Sequence, residues 1–255
     1  MTITCEILKH NLFLLKALLI IRLLVYIVIA LCLLSFPVQS VATAASNNSV
    51  IIFPPDSKPY GVTFQQYVKN FWKWVISLPK DKSPWNDPSG ASCAMGQSGT
   101  NSSVFYLGSN GGGTSYRTCK VPAGKSLFIP VSPMEVSDKE SPGSSIDQLT
   151  QIAKQDQDSV NSLNLKIDDK VYKYQDLLKY RTHAEPIDVV FPVNNAIFGV
   201  MHGGPSKAVA DGFYVMTQPI PKGTHTIQYE SAICKGIGCA QTNFAQNIVY
   251  TVIAQ

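Results

Sequence analysis

The 255-residue chain is poor in charged residues, and its positive and negative charges nearly balance. Asp, Glu, Lys and Arg make up 15% of the sequence, and the formal net charge is +4. So small an excess of positive charge provides no general attraction for nucleic acid, and we predict no nucleic-acid partner. Low charge together with 17 Gly and 16 Pro argues against a coiled coil or a charged disordered tail. We therefore expect one globular domain rich in turns.

Histidine is scarce as well, with four residues in the whole chain. Three of them, His183, His202 and His225, follow the first 44 residues, and none belongs to an H-x-H, H-E-x-x-H or H-x3-H pair. Three histidines can bind zinc or copper, but here only if folding brings them together. The sequence therefore predicts no metal and no other cofactor, with these three residues as the metal-ligand candidates.

A long hydrophobic run occurs only near the N-terminus. Three basic residues precede an apolar stretch at 23–36, and the small-residue sequence Ala42-Thr43-Ala44 follows it. This order is typical of an export signal cleaved before Ala45. A retained membrane anchor is the alternative, because residues 12–38 are mostly apolar and approach the length of a membrane-spanning helix.

Both alternatives place the remainder of the chain outside the cytosol, since the basic end stays inside. We expect a secreted protein, or a membrane-anchored one that faces outward and contacts the membrane through its uncleaved N-terminal segment. The expected organisation is a signal peptide or anchor at 1–44, an N-terminal extension at 45–61 and a single domain at 62–255.

Four cysteines follow the leader: Cys93, Cys119, Cys234 and Cys239. An even number of cysteines in an exported chain favours disulfide bonds. Three pairings are formally possible, and we predict the local one, in which Cys93 pairs with Cys119 and Cys234 with Cys239. A zinc site built from all four is the alternative, although neither pair has the C-x2-C spacing of a zinc ribbon.

Hydrophobic periodicity predicts two amphipathic helices and many short strands. Capping-box patterns at Thr63 and Ser145 open helical periodicities at about 64–78 and 146–163. Short apolar or alternating runs bounded by turn residues predict strands near 50–53, 103–107, 116–121, 126–131, 163–167, 187–191, 196–200, 211–218, 224–231 and 246–254. We expect a mainly β fold, an antiparallel β-sandwich or jelly roll, with these two helices and an N-terminal hydrophobic helix. The stretch 132–145 is predicted to be a mobile loop.

Several short sequence motifs are more informative about family membership than the overall composition is. They are Phe71-Trp-Lys-Trp74, Ser92-Cys-Ala-Met-Gly-Gln-Ser-Gly99, Val104-Phe-Tyr-Leu107, Arg117-Thr-Cys-Lys-Val-Pro-Ala-Gly-Lys125, Phe128-Ile-Pro130, Ala208-Val-Ala-Asp-Gly-Phe-Tyr214 and Pro221-Lys-Gly-Thr-His-Thr-Ile227. Their order, over about residues 62–231, resembles an uncharacterised family of exported bacterial and archaeal single-domain proteins. The resemblance implies export and a single domain; it implies no reaction and no catalytic residue.

Five residues are candidates for ligand binding. Trp85 lies in a loop without periodicity and offers a flat aromatic face to a sugar ring or a protein. Arg117 suits an anionic ligand, although a carboxylate on a neighbouring strand is the commoner partner. His202, Glu135 and Asp211 complete the set, the two acids as possible metal ligands. Glycoside hydrolysis needs a pair of carboxyl groups, and the acids that could provide one are Glu135, Asp138, Glu140, Glu185 and Asp211.

No catalytic constellation is recognisable, so the sequence favours a non-enzymatic protein. We expect an exported β-sandwich that binds a glycan, an envelope component or a protein partner through its loops. The alternative is a hydrolase or a metal-dependent enzyme of the jelly-roll type.

Overall fold

The computed structural model describes residues 50–98, 102–195, 200, 202–234 and 243–255. The predicted N-terminal hydrophobic helix, Cys239 and most of the predicted strand near 196–200 lie outside these residues. Across the described ranges, no helix has both the length and the apolar character needed to cross a membrane.

The described chain is mainly β, as predicted. Its strands are β1 Val104–Tyr106, β2 Gly113–Val121, β3 Ser126–Ser137, β4 Val160–Ile167, β5 Lys170–Lys173, β6 Arg181–Phe191, β7 Gly204–Met216, β8 Gly223–Ile233 and β9 Phe244–Ala254. Its helices are α1 Phe64–Ser77, α2 Ile146–Asp158 and α3 Tyr174–Leu177, with 3₁₀ turns at Pro59–Gly61 and Leu178–Tyr180.

The strands form two mixed sheets. One has four strands in the order β1-β3-β7-β6, and the other has five in the order β2-β9-β8-β4-β5. The predicted purely antiparallel arrangement is wrong at two pairs, because β1 runs parallel to β3 and β2 runs parallel to β9. For the first pair, the physical reason is that no hairpin joins β1 to β3, because the chain forms β2 in the other sheet between them. The chain therefore returns to the first sheet in its original direction.

The two sheets enclose the larger hydrophobic core, and α1 covers the opposite face of the four-stranded sheet. Alternating residues of β3 point to the two faces of this sheet. Leu127 and Ile129 pack between the sheets, whereas Phe128 packs beneath α1. A smaller cluster holds α2 on β3 and β7 through Val136, Leu149, Ala153 and Val209. The order of layers is thus helix, four-stranded sheet and five-stranded sheet.

Helix α1 begins where the sequence predicts. The side chain of Thr63 accepts a hydrogen bond from the backbone N–H of Gln66 at 3.2 Å. The Gln66 side chain donates to Asn70 instead of returning to the cap, so only half of the predicted capping box forms. Both Trp72 and Trp74 are buried, as we expect for tryptophans beside the apolar stripe of an amphipathic helix.

Helix α2 has a complete capping box between Ser145 and Gln148 but ends at Asp158 instead of residue 163. Its predicted C-terminal end is wrong, because Val160 already belongs to β4. The buried residues of β4 follow the two-residue spacing of a strand at Leu163, Leu165 and Ile167.

The predicted loop at 132–145 is wrong in its first part, since β3 extends to Ser137. The loop was predicted from the many Ser and Pro residues of this stretch, and Pro133 is one of them. Here β1 pairs only with Ser126–Phe128, so the rest of β3 is the edge of its sheet on that side. An edge strand tolerates proline, because one row of its N–H groups faces no partner strand.

The disulfide between Cys93 and Cys119 is present, with Cα atoms 6.0 Å apart, and it confirms the predicted local pairing for these two residues. Both cysteines are buried. Cys234 also takes part in a disulfide, and its predicted partner Cys239 lies outside the described residues.

Candidate functional site

A cleft of about 300 Å³ lies beside the edge of β3 that β1 leaves uncovered. Two of the predicted ligand-binding residues, Trp85 and Glu135, line it together. The full lining is Trp72, Trp85, Ser109, Asn110, Pro133, Met134, Glu135, Glu140, Asp156, Ile233, Asn243, Phe244 and Gln246.

Three aromatic side chains line the cleft and make up what we call its aromatic wall. Trp72 on α1 and Trp85 in the following loop have ring centroids 5.9 Å apart. Trp72 is buried, and its Nε1 donates a hydrogen bond to Tyr214 Oη at 2.9 Å. Trp85 and Phe244, at the start of β9, are half-buried and so present part of their rings to the cleft. This wall is held in place before any ligand arrives.

Amide and hydroxyl side chains join the cleft to both sheets. Ser109 Oγ donates to Gln246 Oε1 at 2.6 Å, and Gln246 Nε2 donates to the carbonyl oxygen of Val131 at 2.8 Å. Asn110 Nδ2 donates to Ser115 Oγ at 2.8 Å. These hydrogen bonds hold the loop between β1 and β2 in place. They also make the cleft more rigid.

A pair of carboxyl groups lies in the cleft. Glu135 is 3% exposed, and no donor among the described residues reaches either of its carboxylate oxygens with a conventional hydrogen bond. Glu140 Oε2 accepts bonds from the backbone N–H of Ser137 at 2.9 Å and from its hydroxyl at 2.6 Å. The Glu140 carboxyl is also within hydrogen-bond contact of Glu135. Such a bond exists only when one of the two carboxyls holds a proton.

Electrostatics assigns that proton to Glu135. Burial raises the pKa of Glu135 well above its ordinary value, and the negative charges of Glu140 and Asp138 raise it further. Burial also raises the pKa of Glu140, but the hydrogen bonds from Ser137 act in the opposite direction because they stabilise the carboxylate. The two carboxyls therefore compete for a proton, as expected of like charges in a single site, and Glu135 holds it more tightly.

The contact between Glu135 and Glu140 is too close for glycoside hydrolysis. Retaining glycosidases hold their two carboxyl groups about 5 Å apart, and inverting enzymes hold them still farther apart to admit water. The other acids considered are engaged elsewhere: Asp138 accepts from Ser206, and Glu185 accepts from Thr150.

Asp211 does not line the cleft. Its carboxylate accepts hydrogen bonds from Arg181 Nε and Nη2, both at 2.9 Å, and its side chain is 5% exposed. Arg181 also pairs with Asp158 at the end of α2, at 2.6 Å. This network ties α2 to β6 and β7, so its evident role is structural.

Arg117 is also absent from the cleft lining. It is buried and donates to the carbonyl oxygen of Gly108 at 2.7 Å and to Tyr250 Oη at 2.8 Å. The expected carboxylate partner is replaced by carbonyl and hydroxyl oxygens from the core. Arg117 therefore anchors the loop after β1 and is not placed to bind a ligand.

The three histidines lie on separate elements. His183 is on β6, with Nε2 at 3.3 Å from Glu185, and His202 is exposed before β7. His225 is on β8 in the other sheet, where its ring nitrogens contact Asp168 and the carbonyl oxygen of Pro221. Within the described ranges, no three His, Cys, Asp or Glu residues are grouped so that they could hold a metal ion.

Sequence reasoning missed most of the lining. It treated Glu140 only as one of several acids and assigned no role to Asn110, Asp156, Phe244 or Gln246. The spacing of these residues carries no local signal, because the cleft draws on segments from α1 to β9. The irregular loop around Trp85 was the one useful indication.

The fold and the site define a two-sheet β protein with an acidic, aromatic cleft at the edge of one sheet. No protein family matches the chain, and no curated protein does. Among solved structures, the chain is similar to PbICP-C in its complex with falcipain-2, with 14% identity, a TM-score of 0.23, and coverage of 60% of this chain and 98% of that one. It is also similar to Amebosin, with 14% identity, a TM-score of 0.18, and coverage of 56% and 96%. Similarities this weak carry no argument about fold or function.

Proposed function

We propose that this protein is a non-catalytic ligand-binding β-sandwich that acts outside the cytosol and holds a small ligand in the cleft beside β3. One observation carries the proposal: Trp85 and Glu135 meet in a single preformed cleft. Neither residue belongs to a recognised catalytic motif, but together they provide an aromatic face and a polar group.

The composition of the cleft supports binding. Ligand sites are concave, mostly apolar, and contain a few fixed polar groups that orient the ligand. Here Trp72, Trp85 and Phe244 supply apolar surface, while Glu135 and Glu140 supply polarity. The volume of about 300 Å³ suits a small molecule and not a folded protein.

The disulfide and the leader sequence support a location outside the cytosol. A buried disulfide persists in oxidising compartments and is rare in the cytosol. Cell fractionation followed by intact-mass measurement tests this part: the proposal expects the Cys93–Cys119 bond in protein recovered from outside the cytosol. Full-length protein recovered from the cytosol with free thiols would contradict it.

The binding proposal is tested by screening the purified protein against sugars, amines, amino acids and organic acids. We expect at least one class to raise the melting temperature of the wild type, and Trp85→Ala to abolish that increase. Tyr116→Ala is the matched control, because Tyr116 is an aromatic residue that is 72% exposed and lies outside the cleft lining. Binding that survives Trp85→Ala, or no binding by any class, would overturn the proposal.

A hydrolase is the second candidate function, and the Glu135–Glu140 pair is the observation that favours it. Two carboxyls that share one proton form the acid–base unit of aspartic proteases. Incubation with peptide, ester and glycan substrates tests this alternative. Turnover that disappears in Glu135→Gln, while the variant still binds the substrate, would replace the binding proposal with an enzymatic one.

A further inference from the structure

We infer that the ligand of this cleft is an organic cation that carries an ammonium group. The inference rests on the proposed binding function and names the chemistry of its ligand. Three carboxyl side chains, Glu135, Glu140 and Asp156, line the cleft, and none of its described lining residues is Lys, Arg or His. Among the described lining residues, the charged side chains are therefore all acidic.

Glu135 is the strongest indication of a missing cation. Its carboxyl is almost completely buried and lines the cleft, yet neither oxygen has a conventional donor among the described residues. Its hydrogen-bond contact, Glu140, is itself acidic, and burying a carboxyl without a positive partner is costly. A ligand with a positive charge would supply that partner, whereas an anion would be repelled by the carboxyl groups of the described lining.

The aromatic wall favours an organic cation over a simple ion. Ammonium groups bind over the faces of Trp and Phe rings, and methylated ammonium groups do so most characteristically. Trp85 and Phe244 are half-buried in the cleft and lie in the same lining as Glu135. A bare metal ion would need several oxygen, nitrogen or sulfur ligands, and the described residues offer no such group here.

Calorimetric titration of the purified protein with choline tests the inference. The control ligand is 3,3-dimethylbutan-1-ol, the neutral isostere of choline in which carbon replaces the ammonium nitrogen. We expect choline to bind at least about tenfold more tightly, because only choline gains the charge interaction. Putrescine, titrated separately, distinguishes a site for primary ammonium groups from one that requires methylated ammonium.

Two variants connect binding to the cleft. Glu135→Gln keeps the shape of the side chain, and Trp85→Ala removes the aromatic face; we expect each to weaken binding of the preferred cation at least about tenfold. Glu230→Gln is the charge-matched control, since Glu230 lies on β8 outside the cleft lining and binds Asn164 and Gln228. It should leave the affinity unchanged.

Binding should also depend on pH in a particular direction. The titratable groups around Glu135 are Glu140, Asp138 and Tyr214, and Asp156 lies in the same lining. A bound cation favours the ionised carboxyl, so binding should release protons and weaken as the pH falls. Titrations in two buffers with different heats of ionisation measure that release.

The outcomes separate this inference from the proposed function. If choline and putrescine bind no better than neutral ligands, while some neutral ligand still depends on Trp85, the cation inference is overturned and the binding function stands. If nothing in the wider screen binds, both fail. Unchanged affinity in Glu135→Gln would also overturn the inference, because the charge would then not come from this residue.

Discussion

Glu135 combines two properties that conflict in a single side chain, an ionisable carboxyl and nearly complete burial. A buried carboxylate loses its hydration, so the neutral form is favoured unless a partner compensates. The nearest ionisable group, Glu140, is itself acidic and increases the preference for the neutral form. At the scale of single residues, ionisation of Glu135 in the folded state therefore costs free energy.

That cost predicts an unusual dependence of stability on pH. The pKa of Glu135 is raised in the folded state, so the unfolded chain releases its proton first as pH rises above about 4.5. The free energy of unfolding should fall with rising pH, by up to about 1.4 kcal/mol per pH unit, until the folded pKa is reached. Urea unfolding from pH 4 to 8 measures this slope.

Glu135→Gln should remove most of the slope and stabilise the protein at neutral pH, since an amide does not ionise. Glu230→Gln should keep the wild-type slope. A wild-type free energy of unfolding that rises through this range, with no change in Glu135→Gln, would contradict the assignment of the proton to Glu135.

Asp211 presents the opposite case, a buried carboxylate that has its partner. We expect Arg181→Met to lower the free energy of unfolding by about 3 kcal/mol, because it leaves the Asp211 charge buried and uncompensated. Lys154→Met is the control: it removes only an exposed pair with Asp158, worth less than about 0.5 kcal/mol. Chemical denaturation measures both free energies of unfolding. Equal decreases in the two variants would show that the burial of Asp211 does not increase the cost of removing its partner.

At the scale of elements, β3 shows how one strand can serve both core and site. Its first residues lie between β1 and β7 and fill two cores. Beyond Phe128 it is an edge strand, and there Pro133, Met134 and Glu135 reach the cleft. The end of β1 is thus what opens the site.

The N-terminus of α2 offers a test at the same scale. The Ser145 hydroxyl accepts a hydrogen bond from the backbone N–H of Gln148, and the Ser145 N–H donates one to Gln148 Oε1. Ser145→Ala should therefore cost about 1 kcal/mol of the free energy of unfolding. Ser144→Ala, one residue before the cap, should cost clearly less, and thermal unfolding of both variants provides the comparison.

At the scale of the whole molecule, the Cys93–Cys119 bond joins the loop after α1 to β2 across a separation of 26 residues. Closing a loop of this size stabilises the folded state by about 3.5 kcal/mol in the chain-entropy account. The double variant Cys93→Ser, Cys119→Ser should lose about that much, as measured by guanidinium unfolding. An unchanged unfolding midpoint would show that the bond contributes no net stability.

The helices α1 and α2 were predictable because their signals are local, whereas the short helix α3 was not predicted. Thr63 and Ser145 are capping residues followed by apolar residues at helical spacing, and both helices begin where those signals place them. Most strands were predictable for the same reason, since alternation is visible within a few residues. The end of α2 was not, because helical and strand spacing overlap around Val160.

Neither the pairing of the strands nor the set of residues that line the cleft could be predicted from short-range sequence patterns. Parallel pairing of β2 with β9 joins residues more than a hundred positions apart, and no short-range pattern specifies it. The cleft similarly unites Trp85, Glu135 and Gln246 from distant segments. Sequence identified Trp85 and Glu135 by residue type, whereas their meeting depended on tertiary structure.

The position of β9 has a consequence for the order of events during biosynthesis. This strand lies between β2 and β8, and it pairs with β8 along its whole length and with β2 from Gln246 to Ala254. Domains acquire structure as units, and the five-stranded sheet lacks an inner strand until β9 has been synthesised. In the nascent polypeptide, β2 and β8 consequently have no strand to join them before residues 244–254 become available.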